Sequence, residues 1–180
     1  MSGEDRTPTR SVEVPDELFR GVLAPYRKAC TYLQKAWIDF YGPPGAEDCA
    51  VGGDVVARGE FSIPESFYID DTGHFNAVEF NLCYNQLAYV YLAFCADQRL
   101  IPPMSRVDLA YYKRQQLPGI LITKFSSSFH SHMHAARFWG EISLPKVVEK
   151  DRLWLLDTHV RYWDEGRGRS DGDVLLAFLK

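Results

Sequence analysis

A histidine stands directly before the most apolar stretch of the chain, where residues 73–77 read GHFNA. An imidazole titrates near neutral pH, so His74 is a candidate general acid or base. If the apolar stretch is a helix, the backbone amides of Asn76 and Ala77 lie at its N-terminus, where unpaired donors and the helix dipole favour negative charge. This combination suits reactions that place negative charge on a carbonyl oxygen, as an enolate or a tetrahedral oxyanion.

The apolar stretch also keeps polar side chains that a buried helix normally lacks. Asn81 and Asn85 are four residues apart and share one helical face. Glu79 and Gln86 are seven residues apart and share another face. Two interpretations are open for these two stripes. They line a wet or substrate-filled space, or they form hydrogen bonds to neighbouring loops or to a second subunit.

The elements that must position these residues follow from the pattern of the chain. The apolar run from about residue 75 to 96 contains no Gly or Pro and is too long for a strand, which predicts a helix buried on nearly all sides. Pro15, followed by two acidic residues, predicts a short helix near the start of the chain. Strands are predicted over residues 32–40, 51–63, 120–129, 136–148, 152–163 and 173–179.

A helix that is apolar on all sides needs a sheet curled about it. The predicted fold is therefore α+β, namely a hotdog fold in which an antiparallel sheet wraps around one long central helix. The 180 residues fit one domain, with residues 1–14 as a flexible tail and residues 15–180 as a single hotdog domain. Such a sheet leaves its own edge and one side of the helix uncovered, so we expect a homodimer or a higher homo-oligomer.

Composition and charge argue against several classes of protein. The net charge is −4, the pI is about 5.7 and no long basic stretch occurs, so we expect no nucleic-acid partner. Polar residues interrupt every apolar run, so we predict no membrane span. The first fourteen residues are polar and do not read as a signal peptide. The four cysteines form no CxxC pair, which is typical of reduced thiols in a cytoplasmic protein.

Three alternating histidines, His130, His132 and His134, would share one face of a strand and could then hold a metal ion. They fall where a turn between strands is expected, and no acid or cysteine nearby completes a ligand set. We therefore predict no metal site, and nothing in the motifs calls for a cofactor.

A longer motif adds a resemblance to a known family. Residues 65–89 read ESFYIDDTGHFNAVEFNLCYNQLAY. Together with APY at 24–26, GEFSI at 59–63, ITKFSSSF at 122–129 and YWDEG at 162–166, this run resembles the FcoT family of hotdog proteins, first described as long-chain acyl-CoA thioesterases. The GHF turn is also similar to the GHFP of hotdog hydroxyacyl dehydratases, whose histidine is catalytic. Those enzymes carry an acid further along the central helix, whereas the residue fourteen positions after His74 is Ala88, which argues against a dehydratase.

The resemblance implies a narrower activity than the family name. Members encoded beside isonitrile lipopeptide synthetases are similar to (2E)-enoyl-ACP glycyltransferases, which add the amine of glycine to C3 of an α,β-unsaturated acyl thioester and form a 3-[(carboxymethyl)amino]acyl-ACP. The expected partners are then an acyl-ACP or acyl-CoA thioester, glycine and an acyl carrier protein. Two alternatives stay open: a fatty acyl-CoA or acyl-ACP thioesterase that delivers water to C1, and a non-catalytic acyl-binding hotdog protein.

The same resemblance implicates tyrosine and asparagine side chains, and the matching positions are Tyr26, Tyr68, Asn76 and Asn85. With His74 as the base they form the predicted catalytic set, in which Tyr68 and Asn85 orient the thioester or the amine. The predicted substrate-binding residues lie at the helix start and on one strand, where a lysine and two hydroxyls suit the glycine carboxylate; they are Gly73, Ala77, Glu79, Lys124, Ser126 and Ser127.

Four basic residues in the stretch 99–114 also have a possible role in substrate delivery. They suit a phosphopantetheine arm or the acidic surface of a carrier protein, and a merely solvated basic face is the alternative. They are Arg99, Arg106, Lys113 and Arg114.

Overall fold

A computed structural model describes residues 6–43, 47–69 and 74–180. Within them the chain forms seven strands and three α-helices, with short 3-10 turns at Lys28–Cys30 and Pro102–Met104. The elements are, in order, β1 (Arg10–Glu13), α1 (Asp16–Leu23), β2 (Leu33–Phe40), β3 (Val55–Phe61), α2 (Ala77–Gln98), α3 (Leu109–Gln115), β4 (Ile120–Phe129), β5 (Phe138–Glu149), β6 (Leu153–Asp164) and β7 (Arg169–Leu179).

The seven strands form one antiparallel sheet in the order β1-β2-β3-β5-β6-β7-β4. The inner face of this sheet packs against α2, so the predicted α+β hotdog architecture is confirmed. Its two edge strands are β1 and β4. The predicted strand at 120–129 is β4 without any change of bounds, and the predicted strands at 32–40, 136–148 and 152–163 match β2, β5 and β6 within two residues.

The central helix α2 has 22 residues and is about 33 Å long. A capping box starts it, because the Asn76 side chain accepts from backbone amides of the first turn while Glu79 accepts from the Asn76 amide. The helix ends at Arg99, which adopts the left-handed conformation with φ of 56°. Among the described residues, no helix combines the length and the hydropathy needed to span a bilayer.

Aromatic rings fill the space between the sheet and the first half of α2. The Phe80 ring of α2 lies 4.9 Å from the Tyr162 ring of β6, and Phe75 lies 4.8 Å from Phe138 of β5. Gly172 of β7 permits this close approach, because a Cβ there would meet the Ser126 carbonyl oxygen and the Phe80 ring. The sheet is therefore held tightly on the helix next to its N-terminus.

Three local expectations are corrected by the structure. Residues 10–13, predicted as part of a flexible tail, form β1 and pair with β2, because backbone hydrogen bonds and the burial of Val14 hold a segment that is polar in sequence. The strand predicted over 51–63 begins only at residue 55, because Gly52 and Gly53 take positive φ values of 102° and 86°. The last strand starts at Arg169, four residues before the predicted start at 173, since pairing with β6 continues up to the turn.

Candidate active site

The N-terminus of α2 is organised by Asn76. Its Oδ1 accepts from the amides of Val78, at 2.9 Å, and of Glu79, at 3.3 Å. Its own backbone amide donates to the Glu79 carboxylate at 3.3 Å. Of the two amides predicted to face a substrate, that of Asn76 is therefore occupied. The Ala77 amide makes no hydrogen bond within the described part of the chain, and Ala77 is exposed in the first turn.

The Asn76 side chain also fixes the orientation of Tyr68. The Tyr68 hydroxyl lies 2.7 Å from Asn76 Nδ2 and 3.0 Å from Oδ1. Because Oδ1 already accepts from two backbone amides, Nδ2 is the better partner and donates to the Tyr68 oxygen. The phenolic proton of Tyr68 is then available to a substrate oxygen. Asn76 thus caps α2 through Oδ1 and, through Nδ2, orients the Tyr68 hydroxyl as a hydrogen-bond donor.

His74 lies at the same helix end, beside a second histidine. It borders an open cavity of about 420 Å³ together with Asn76, Ala77 and Phe129. His132 borders the same cavity, and the centroids of the His74 and His132 rings are 5.8 Å apart. The predicted base and the open amide of Ala77 therefore face one space. Gly73, predicted to bind substrate, lies outside the described residues.

Glu79 and Gln86, predicted as one polar stripe, are fully buried and hydrogen-bonded. Gln86 Oε1 accepts from the amides of Tyr32 and Leu33, both at 2.9 Å, and its Nε2 donates to the Cys30 carbonyl oxygen at 2.7 Å. Glu79 accepts from the hydroxyl of the buried Ser66. This stripe fastens loops to α2, so the hydrogen-bonding interpretation applies to it and Glu79 does not line the cavity.

Asn85 belongs to a different face of α2, which is only partly covered. It is half-buried and forms no hydrogen bond with any described residue, so its amide is open to a ligand. Leu82 and Tyr89, one turn away on either side, are also half-buried, and Val78 is 51% exposed. This open face of α2, comprising Val78, Leu82, Asn85 and Tyr89, starts beside the cavity and runs along half of the helix.

Asn81 lies next to the open face, and its Oδ1 is buried without a hydrogen-bond partner among the residues that the structure describes. An unpaired buried carbonyl costs stability, because it has lost its water and gained no donor. The second predicted stripe, Asn81 with Asn85, therefore keeps unused polar groups, in contrast to Glu79 and Gln86.

Tyr26 lies against the middle of α2 and not at its N-terminus. Burial, followed by the proximity of Tyr89 and Cys83, raises the pKa of its hydroxyl, so Tyr26 is a neutral donor at physiological pH. Cys83 is no candidate nucleophile, because burial raises the pKa of its thiol well above the usual value. All four cysteines are free.

The three residues predicted on β4 are divided between the two faces of the sheet. The Phe125 and Phe80 ring centroids are 5.6 Å apart, so Phe125 faces α2. Because side chains alternate along a strand, Ser127 shares this face, whereas Lys124 and Ser126 lie on the opposite face. Of the three, only Ser127 is on the side of the helix, and the structure does not bring Lys124 and Ser126 to the cavity.

The three alternating histidines do not converge on one point. His130 Nε2 lies 2.6 Å from the Asp171 carboxylate, whereas His132 lies beside His74. Within the described residues no group of His, Cys, Asp or Glu side chains is arranged to hold a metal ion.

Two residues near the helix start were missed as candidates for the site. His132 was considered only as a metal ligand. It falls in an expected turn, where its side chain need not lie on the same side as those of His130 and His134. Ser66 gave no sequence signal, because a lone serine before two aromatic residues is common in loops. Both enter the site through contacts between distant segments.

Comparisons with known proteins show the family of the chain. Residues 21–178 match the FcoT-like thioesterase domain family. A (2E)-enoyl-[ACP] glycyltransferase of Streptomyces coeruleorubidus is 38% identical over 169 residues, which cover 91% of this chain and 96% of the relative. A (2E)-enoyl-[ACP] glycyltransferase of Mycobacterium marinum is 36% identical over 170 residues, which cover 92% of this chain and 87% of the relative.

Among solved structures, a putative thioesterase from Shewanella oneidensis has the same fold. It aligns with a TM-score of 0.51 at 12% identity and covers 92% of this chain and 100% of its own. The match over residues 21–178 takes in the sheet from β2 to β7, the central helix and the cavity at its N-terminus. By this match and by relatives at 36–38% identity, the chain belongs to the FcoT-like thioesterase domain family.

Proposed function

We propose that this protein catalyses the conjugate addition of glycine to C3 of a (2E)-enoyl-ACP and so forms a 3-[(carboxymethyl)amino]acyl-ACP. The observation that carries the proposal is the arrangement at the start of α2. A backbone amide, a tyrosine hydroxyl oriented by Asn76 and an imidazole lie together at this helix end. The one hydroxyl among the described residues of the cavity wall, that of Ser131, is already bonded to the backbone of Arg167 and Arg169. Such a site stabilises charge on a carbonyl oxygen and moves a proton, which is what an addition requires.

The acyl carbonyl oxygen is placed to accept hydrogen bonds from the Ala77 amide and the Tyr68 hydroxyl. When the amine attacks C3, the electrons of the C2–C3 double bond move toward the carbonyl and an enolate oxygen forms. Both donors and the positive end of the α2 dipole stabilise this oxygen. Asn85 lies eight residues further along the open face of α2, about 12 Å from Ala77, where it contacts the acyl chain beyond the thioester.

Glycine must lose a proton before its amine can attack. His74 accepts a proton from the ammonium group, the nitrogen–C3 bond forms, and the proton returns to C2 as the enolate collapses. No atom leaves the substrate, and no oxidant or reductant is needed. His74 is therefore the proposed general acid and base.

The glycine carboxylate is better served by His132 than by the residues predicted on β4. His132 borders the same cavity as His74, whereas Lys124 and Ser126 face the other side of the sheet. The spacing of 5.8 Å between the ring centroids suits a small amino acid that contacts one imidazole at each end. We propose that His132 orients glycine for attack.

A homodimer completes this proposal. The open face of α2 and the edge strand β4 carry partly exposed apolar side chains, among them Val78, Leu121 and Ile122. An uncovered apolar helix face and an unpaired strand edge favour association with a second copy. The acyl chain would then lie between the two copies, along the Asn85 face of each helix.

The relatives named (2E)-enoyl-[ACP] glycyltransferase support addition, and the thioesterase fold keeps hydrolysis as the alternative. The purified protein is incubated with a (2E)-enoyl-ACP in the presence and in the absence of glycine. The mass of the carrier-bound acyl group is then measured by mass spectrometry. A glycine-dependent adduct supports addition. Free thiol without glycine would instead identify a thioesterase, and binding without turnover would identify an acyl-binding protein.

His74→Ala tests the proposed base within the same assay. The side chain is exposed, so its loss should leave the fold intact while the adduct disappears. Near-normal turnover in this variant would remove His74 from the mechanism.

A further inference from the structure

A second and larger cavity, of about 920 Å³, lies between the segment 26–34 and the loop 62–67. We call it the Lys28 groove and define it by Tyr26, Lys28, Gln34, Ser62 and Phe67. Its volume lies within the range of small-molecule sites, roughly 300–1,000 Å³. Of these five residues, only Tyr26 has a role assigned to it above.

The Lys28 groove reaches the candidate active site at two points. Tyr26 forms part of its wall and lies beside Tyr89 of α2, one turn from Asn85. On the other wall, Phe67 precedes Tyr68, and their rings are 5.2 Å apart. A ligand that follows the groove to Phe67 therefore ends beside Tyr68, one of the two proposed oxyanion donors.

The polarity of the groove suits a chain of amides better than a hydrocarbon tail. Gln34 donates through Nε2 to the Tyr32 carbonyl oxygen at 3.1 Å, which leaves its Oε1 as an acceptor. The Ser62 hydroxyl makes no hydrogen bond to any described residue, and Thr31 adds a further hydroxyl. These groups can pair with amide donors and acceptors along an extended ligand.

The outer end of the groove is positively charged. Arg27 and Lys28 are exposed neighbours, and neither forms an ion pair with a carboxylate in the described segments. Glu65 lies on the opposite wall, so an anion is expected to bind on the Lys28 side. Lysine is a common ligand of phosphate groups, which it contacts as a point charge.

We propose that the Lys28 groove binds the phosphopantetheine arm of the acyl carrier protein, with the phosphate at Lys28 and the thioester at the end where Phe67 leads to Tyr68. A phosphate, two amides and a terminal thioester match, in that order, the cation, the polar wall and the donors of the groove. This inference rests on the proposed function, because it assigns a place to that reaction's carrier.

The basic residues expected to contact the arm do not offer such a site. Arg99 caps the far end of α2, and the guanidinium of Arg114 lies 5.5 Å from the Tyr111 ring centroid. Lys113 packs against Gly21 of α1. These side chains are scattered over separate elements, whereas Lys28 borders a cavity that leads to the site.

A binding experiment tests the inference without turnover. An acyl carrier protein is prepared in its holo form and in its apo form, which lacks the arm, and its binding is measured by fluorescence anisotropy. The wild type should bind the holo form about tenfold more tightly, and Lys28→Glu should remove this preference. Lys146→Glu makes the same charge change at an exposed residue of β5 and should keep the preference.

Equal binding of holo and apo forms by the wild type, or an unchanged preference in Lys28→Glu, would overturn the assignment.

Kinetics provide the second readout. Lys28→Glu should raise the KM for a (2E)-enoyl-ACP about tenfold at unchanged kcat, and leave turnover of the N-acetylcysteamine thioester, which has no phosphate, as in the wild type. If the wild type forms no adduct with either substrate, the proposed function fails, and the binding result alone decides about the groove.

The same comparison with enoyl-CoA separates the arm from the carrier protein. Coenzyme A carries the same phosphate and arm, so Lys28→Glu should weaken its binding as well. A loss with the carrier protein and none with enoyl-CoA would overturn the assignment, because Lys28 would then contact the protein and not the arm.

Discussion

Asn76 performs two tasks that a single substitution can separate. Its Oδ1 caps α2, and its Nδ2 donates to the Tyr68 hydroxyl. An aspartate in this place caps a helix equally well but offers only acceptors. The Tyr68 hydroxyl would then donate its hydrogen bond to the aspartate carboxylate and not to the substrate.

We therefore expect Asn76→Asp to retain the stability of the wild type and to lose at least tenfold in kcat. Asn76→Ala should lose activity and also about 1 kcal/mol of stability with the helix cap. Urea unfolding and the glycine-dependent assay measure the two effects. An active Asn76→Asp variant would contradict the orientation assigned to the Asn76 amide.

Tyr68→Phe tests the donor itself. Removal of one oxyanion donor typically costs on the order of 100-fold in kcat. Because Tyr68 is 40% exposed, its hydroxyl contributes little to the fold, and the melting temperature should not change. Tyr111→Phe, which removes a hydroxyl from α3 and keeps the ring, is the control and should keep most of the activity. A Tyr68→Phe variant with full kcat would leave Ala77 as the main donor.

At the scale of elements, buried polar side chains fasten the loops that carry the site. Gln86 joins α2 to the start of β2 through three hydrogen bonds, and Glu79 joins α2 to Ser66. Ser66 lies two residues before Tyr68 in sequence, so this contact sets the position of the Tyr68 loop. Asp164 plays the same role at the end of β6, where it accepts from the amides of His134, Gly168 and Gly166.

Gln86→Leu should destabilise the protein by about 2–4 kcal/mol, because it leaves two buried backbone amides and one carbonyl unpaired. The comparison variant Gln98→Leu, at the exposed end of α2, should change stability by less than about 0.5 kcal/mol. Denaturant unfolding measures both. A mild effect of Gln86→Leu would mean that water replaces the side chain in this position.

Through Asp164, the free energy of unfolding is expected to depend on pH. Burial alone would raise its pKa, but the hydrogen bonds from His134, Gly168 and Gly166 outweigh burial and hold the pKa below the usual value. A carboxylate with a depressed pKa stabilises the fold above its unfolded pKa of about 3.9, and this contribution is lost as pH falls through the folded pKa. Asp164→Asn should therefore unfold with a weaker pH dependence below about pH 4, as followed by circular dichroism.

At the scale of the whole molecule, the sheet covers one side of α2 and leaves the other partly open. The edge strand β4 adds exposed apolar residues, with Leu121 at 46% and Ile122 at 38% exposure. In water, such a surface favours association with a second copy of the chain. The proposed acyl site, which uses the open face of α2, depends on that association.

Leu82→Lys should convert the proposed dimer to a monomer, because it places a charge in the open face of α2. Leu155→Lys, on the outer face of the sheet, is the control and should keep the mass of the wild type. Light scattering coupled to gel filtration measures the masses. A monomeric wild type would contradict the proposed dimer, and a dimeric Leu82→Lys would place the interface elsewhere.

The sequence by itself predicted the class of fold, since its one long run without Gly or Pro is apolar on nearly all sides and the strand patterns before and after it supply a sheet to cover it. It also indicated where the central helix begins, because the capping contact from Asn76 to Glu79 lies within one short motif and needs only one turn of helix. His74 follows from the same short motif. In each case the determining interactions lie within a few residues of one another.

Only the tertiary structure decided which polar residues serve the fold and which are open to a ligand. Glu79 and Asn85 look alike in the sequence, yet Ser66 occupies the first and no described residue bonds to the second. Likewise His132 reaches His74 across 58 residues of chain, and Lys124 is turned to the far side of the sheet. Burial and pairing depend on contacts between distant segments, which no local pattern encodes.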